Sequence, residues 1–125
     1  MEKMRLFALR GATQCINSKD DIQKKTVEMY DELLTENNIS EEEIVSIIFS
    51  VTQDLDSLNP ASALRKEGRA EKIALFVNQE AHFNDSLDRV VRVLIHCYMD
   101  PSRTPVHVYR NGAELLRPDF ACDKM

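Results

Sequence analysis

The first apolar run, Met4-Arg-Leu-Phe-Ala-Leu-Arg10, reads as a strand, with Gly11 loosening the chain after it. Strand side chains alternate, so Leu6, Ala8 and Arg10 share one face. Ser18 followed by Asp21 resembles a capping box, with Asp in place of the usual Glu or Gln. Ile22, Thr26, Met29, Tyr30, Leu33 and Leu34 then recur at helical spacing, with Lys24, Lys25, Glu28, Asp31 and Glu32 between them. This pattern predicts an amphipathic helix ending near Asn37-Asn38.

β-branched residues dominate Ile44–Val51, a second strand. After the polar segment Thr52–Asn59, Pro60 is suited to the first position of a short helix through Lys66, and Gly68 to its end. Lys72–Asn78 reads as a third strand and Val90–Cys97 as a fourth, largely buried one. Val106–Tyr109 and Ala113–Arg117 flank Asn111-Gly112, which signals a hairpin. The order of elements predicts one α+β domain over residues 1–125, with helices on one face of a mixed sheet.

Composition narrows the function classes. With 43% apolar and 30% charged residues, the 125-residue chain has the make-up of an ordinary globular domain. So short a chain leaves little room for a deep internal pocket, a limit that a site shared between subunits would relieve. The net charge of −5 argues against nucleic acid as the main partner, because phosphate neutralisation needs a basic surface. Any anionic ligand must then be held by short-range contacts. No apolar run approaches the roughly 20 residues of a membrane span, and Met1–Leu9 lacks a signal-peptide core. Cys15, Cys97 and Cys122 are odd in number and widely spaced, which favours free thiols and a cytoplasmic location. Cys122-Asp-Lys-Met125 imitates a prenylation box by position only, since Asp123 and Lys124 stand where aliphatic residues belong.

Arg92 is the most informative residue by pattern. It shares a strand face with Val90 and Leu94, while Val91, Val93 and Ile95 line the other face. A guanidinium among apolar neighbours must meet an anion or reach water. Two readings stay open for it: a structural ion pair or snorkelled side chain, and a ligand-binding cation. Glu80 ends the run Ile73–Glu80 where strand gives way to loop, and it reads either as an exposed carboxylate or as a functional group at a strand end. Arg10 and Arg117 hold similar strand-end positions. His82, His96 and His107 lack zinc-site spacing, His96 and Cys97 point to opposite faces, and the three glycines form no phosphate loop.

Five segments together resemble the AroH class of chorismate mutases, nearly end to end. They are Leu9-Arg10-Gly11-Ala12-Thr13, Ser50-Val-Thr-Gln-Asp-Leu55, Pro60-Ala61 with Arg65, Glu80 with Arg92 twelve residues on, and His107-Val108-Tyr109 followed by Leu115-Leu116-Arg117-Pro118-Asp119. The resemblance implies a homotrimeric pseudo-α/β-barrel with active sites between subunits. It also implies the Claisen rearrangement of chorismate to prephenate, which needs no nucleophile, metal or other cofactor. Such an enzyme holds a compact substrate conformer and stabilises the charge that separates in the transition state.

The same resemblance assigns residues. Arg92 would face the ether oxygen as its bond breaks. Arg10 and Tyr109 would bind the enolpyruvyl carboxylate, and Glu80 would accept from the ring hydroxyl. Arg65 would lie near the ring carboxylate, and Leu116 and Arg117 would belong to a shielding C-terminal segment. Ala61, Asn59 and Val77 occupy pocket positions. Asn59 stands where members often carry phenylalanine, Ser62 where a lysine can occur, and Val77 where a small polar residue can occur. Those departures motivate an alternative, a non-catalytic or regulatory module of the same trimeric fold that binds a small carboxylate. A different enzyme on a related trimeric scaffold, such as an imine deaminase, is disfavoured by the Glu80-to-Arg92 spacing and the Leu-Arg-Pro-Asp segment.

Overall fold

The computed structural model describes residues 3–117. Strand β1 (Arg5–Gln14) leads into helix α1 (Lys19–Asn37), and β2 (Ile44–Val51) into helix α2 (Pro60–Lys66). Strands β3 (Ala74–Gln79), β4 (Val90–Met99) and β5 (Val108–Arg110) complete the order. The sheet order is β3-β2-β4-β1-β5. Strand β4 runs antiparallel to both β1 and β2, whereas β3 and β5 add parallel strands at the edges. The mixed α+β sheet expected from the element order is therefore present.

Helix α1 buries Ile22, Thr26, Met29, Tyr30 and Leu33 as its periodicity predicts, together with Asn37, while Leu34 is only partly buried. At its start Ser18 Oγ accepts from the Asp21 amide at 3.1 Å, but Asp21 does not complete a reciprocal box. Its carboxylate instead accepts from Ile16 N at 2.6 Å, which ties down the approach to the helix. Asn38, left-handed at φ 51°, ends the helix, and the Ile39 amide returns to Leu34 O. Both helices cover one face of the sheet, where Leu33, Leu64, Phe49, Val91, Val93 and Ile95 share a core. No helix among the described residues is long and apolar enough to cross a membrane.

Four expectations need correction. Gly11 does not end the first strand, which runs on to Gln14. A Cβ at Gly11 would stand 3.0 Å from Leu33 Cδ1, 3.1 Å from Val93 Cγ1 and 3.2 Å from Met29 Sδ. The glycine lets α1 approach the sheet closely rather than loosening the chain. The third strand is shifted to Ala74–Gln79 and the fourth extends to Met99. The expected hairpin does not form. Asn111 and Gly112 take positive φ values of 58° and 106°, as a tight hairpin turn would require, but Ala113–Leu116 then coils into a 3-10 turn. Strand β5 finds its partner in β1 instead, in parallel. Cys122, Pro118 and Asp119 lie outside the described residues.

Candidate active site

The face of the sheet opposite the helices carries the polar chemistry, and strand register decides which side chains meet there. Ser50 on β2 pairs with Arg92 on β4, Arg92 with Ala12 on β1, and Ala12 with Tyr109 on β5. These four residues form one row across the sheet. Ile48, Leu94 and Arg10 form the adjoining row. Ala12, the smallest member, separates Arg92 from Tyr109 and leaves space between them. The result is a cleft of about 310 Å³ lined by Arg10, Ala12, Ile48, Ser50, Arg92 and Tyr109.

Glu80 comes directly after β3, where its amide donates to Val51 O at 2.7 Å and keeps the chain against β2. Its carboxylate turns onto the open face. Arg92 Nε donates to Glu80 Oε1 at 2.7 Å, and Ser50 Oγ donates to the same oxygen at 3.3 Å. The Glu80 side chain is 15% exposed and that of Arg92 39%, so the guanidinium is held on one side and open to a ligand on the other. Such an ion pair orients its cation in a partly desolvated setting. A second cleft begins at Ser50, Glu80 and Arg92 and is walled by Phe83, Asp85 and Leu116.

The end of β2 also fixes the start of β4. Thr52 Oγ1 accepts from Val90 N at 2.9 Å and donates to Asp54 Oδ1 at 2.6 Å, and Asp54 accepts from Arg89 N. Arg89 sits there with φ 54°, a strained value for a side chain of its size. Arg92 lies three residues further along, so this clasp sets where the cation stands.

Arg10, Glu80, Arg92, Tyr109 and Leu116 thus come together around one surface, and Arg117 comes directly after Leu116. Asn59, Ala61, Arg65 and Val77 do not join them within one chain. Asn59 caps α2 by accepting from Ala61 N at 2.8 Å, and α2 packs on the covered face. Arg65 is exposed on that helix, with Nη2 3.5 Å from Ile73 O. Val77 pairs with Phe49 and packs against the core, one strand position out of phase with the open face. Ser50 belongs to the site although sequence reasoning gave it no role. Its even spacing from Ile48 was the available signal.

His107 accepts a hydrogen bond from the Arg10 amide at 3.0 Å through Nδ1. Burial, and the cationic Arg10 and Arg117 beside it, hold its pKa below the ordinary 6.5.

Comparison with known proteins gives the same picture from three directions. The family model described as chorismate mutase type I matches residues 6–120. Chorismate mutase AroH of Thermus thermophilus is 38% identical over 118 residues, covering 90% of this chain and 96% of that protein. Chorismate mutase AroH of Bacillus subtilis is 28% identical over 123 residues, with 97% of each covered. The solved chorismate mutase of Clostridium thermocellum superposes with a TM-score of 0.79 at 36% identity, covering 87% of this chain and 98% of that one.

Proposed function

Because the chain belongs to the chorismate mutase type I family and so converts chorismate to prephenate, we propose that Arg92 is the central cation of this rearrangement. The reaction is unimolecular, and it breaks a carbon–oxygen bond while a carbon–carbon bond forms. Negative charge grows on the ether oxygen as the bond lengthens, and Arg92 stabilises it there. The observation that carries this reading is the Arg92–Glu80 pair at the junction of the two open-face clefts. A guanidinium already oriented by a carboxylate needs little reorganisation when charge develops.

Tyr109 stands across Ala12 from Arg92, Arg10 lines the same cleft from the adjoining row, and together they take the enolpyruvyl carboxylate, for which the planar fork of Arg10 is suited. Glu80 accepts the ring hydroxyl while steadying Arg92. Leu116 and Arg117 shield the site.

The active unit in this reading is a homotrimer in which each site is completed by a neighbour's Arg65, Asn59, Ala61 and Val77. Two features support it. Those residues lie away from the Arg92 cleft in their own chain. The sheet also exposes Leu6, Val45, Phe76 and Tyr98 at 45–65% each, an apolar surface suited to burial between copies. The free, buried thiols of Cys15 and Cys97 fit a cytoplasmic location.

Mixing chains tests the shared site. Arg65→Ala and Arg92→Ala chains, each nearly inactive alone, should recover activity when unfolded and refolded together, because some sites then unite both intact residues. A mixture no more active than its parts, with trimers formed, would overturn the shared site.

A further inference from the structure

Strand β5 begins at Val108, which pairs with Gly11 of β1. Arg10 lies one residue beyond the paired stretch, so its amide has no β5 backbone carbonyl opposite it. The His107 ring supplies the acceptor, with Nδ1 at 3.0 Å. An amide N–H can only donate, so Nδ1 must carry its lone pair and the proton of the neutral ring resides on Nε2. The side chain thereby continues the sheet by one hydrogen bond at the residue whose guanidinium lines the cleft.

Among the described residues, burial and two cations favour the neutral ring. Burial disfavours the charged ring most, and the cations Arg10 from β1 and Arg117 after the last turn add to its effect. Helix α1 presents Asn37 to this segment, and this neutral side chain clamps Val106 by donating to its carbonyl at 2.9 Å and accepting from its amide at 2.8 Å. The nearby acids of α1, Glu28 and Glu32, face Arg110 at 3.9 Å and 3.0 Å.

We propose that His107 is a positioning residue for the rearrangement, its neutral ring fixing the backbone of Arg10 so that the guanidinium meets the substrate carboxylate. A proton on Nδ1 removes the acceptor and places a third cation beside Arg10 and Arg117. The inference rests on the reading that Arg10 binds a carboxylate of chorismate. Because that contact is made in ground state and transition state alike, its loss raises KM more than it lowers kcat.

Steady-state kinetics with chorismate over about pH 5 to 8 test this on the wild type and on His107→Ala, His107→Asn and Arg10→Ala. His107→Ala should raise KM about two- to tenfold at neutral pH, the effect of one lost hydrogen bond, with a smaller change in kcat. His107→Asn should recover most of that loss, because its amide oxygen can accept where Nδ1 did. Wild-type KM should rise as pH falls below 6.5, through the lowered pKa of the ring, and His107→Asn should lack that rise. A wild-type KM in His107→Ala, or the same acid limb in His107→Asn, would overturn the positioning role. An unaltered KM in Arg10→Ala would instead overturn the carboxylate role of Arg10, which separates the two failures.

Discussion

Arg92 Nε donates to Glu80 Oε1 at 2.7 Å across the open face of the sheet, and the shared oxygen also takes the Ser50 hydroxyl. One carboxylate oxygen therefore steadies the proposed central cation, while Oε2 takes part in neither bond. Glu80→Ala removes both the anchor and the hydroxyl acceptor. Charge-assisted hydrogen bonds are worth about 1.5–3 kcal/mol, so kcat/KM should fall roughly tenfold to a hundredfold. Glu80→Gln keeps an acceptor for Ser50 and should lose less. Wild-type kcat/KM in Glu80→Ala would show that Arg92 is oriented by another group.

Gly11 lies between the open face and the core, where an added Cβ would come within 3.0–3.2 Å of Leu33, Val93 and Met29. Gly11→Ala asks three packed side chains to give way together. Overpacking of this kind costs about 1–3 kcal/mol, so the midpoint of thermal or urea unfolding should fall. An equal or higher midpoint would mean that the ends of Leu33 and Met29 swing aside freely.

Tyr30 is 1% exposed, and its hydroxyl donates to Glu41 Oε2 at 2.6 Å; the same oxygen accepts from Ala70 N at 2.7 Å. This joins α1 to the loop between α2 and β3. Tyr30→Phe should destabilise by about 1.5–3 kcal/mol, as expected for a hydrogen bond to a charged group, with little effect on catalysis. Burial, then the bond to Glu41 and its charge, raise the phenol pKa above the ordinary 10.0. A raised pKa means that the stabilisation is complete below pH 10.0 and fades as pH climbs toward the folded value. Alkaline unfolding tracked by circular dichroism should therefore show a steeper loss above that pH in the wild type than in Tyr30→Phe. Parallel curves would contradict this role.

Much of the fold was legible because local chemistry and tertiary packing agree. The stripe from Ile22 to Leu33 is the buried face of α1, and β2 and α2 have the bounds their sequences suggest. Alternation along β4 was enough to set Arg92 apart from Val91 and Val93. It also required an anionic partner or water for Arg92. It could not choose Glu80, since that choice depends on where β3 ends against β2. Asn111-Gly112 misled for a related reason. Its turn geometry is as expected, but β5 pairs with β1, nearly a hundred residues earlier, and that long-range pairing leaves Ala113–Leu116 to coil instead of returning as a strand. His107 was invisible to spacing rules because its partner is a backbone amide that carries no residue-specific mark.

The central claim is that Arg92 carries the chemical step, and a direct spectrophotometric assay of chorismate loss tests it. The wild type should convert chorismate to prephenate. Removing one preorganised donor costs about 2.7–4 kcal/mol, so Arg92→Ala should lose roughly a hundred- to a thousandfold in kcat. Arg92→Lys should remain severely impaired, because a point charge cannot hold Glu80 and meet the ether oxygen with one planar fork. Near-wild-type kcat in Arg92→Lys would contradict the account.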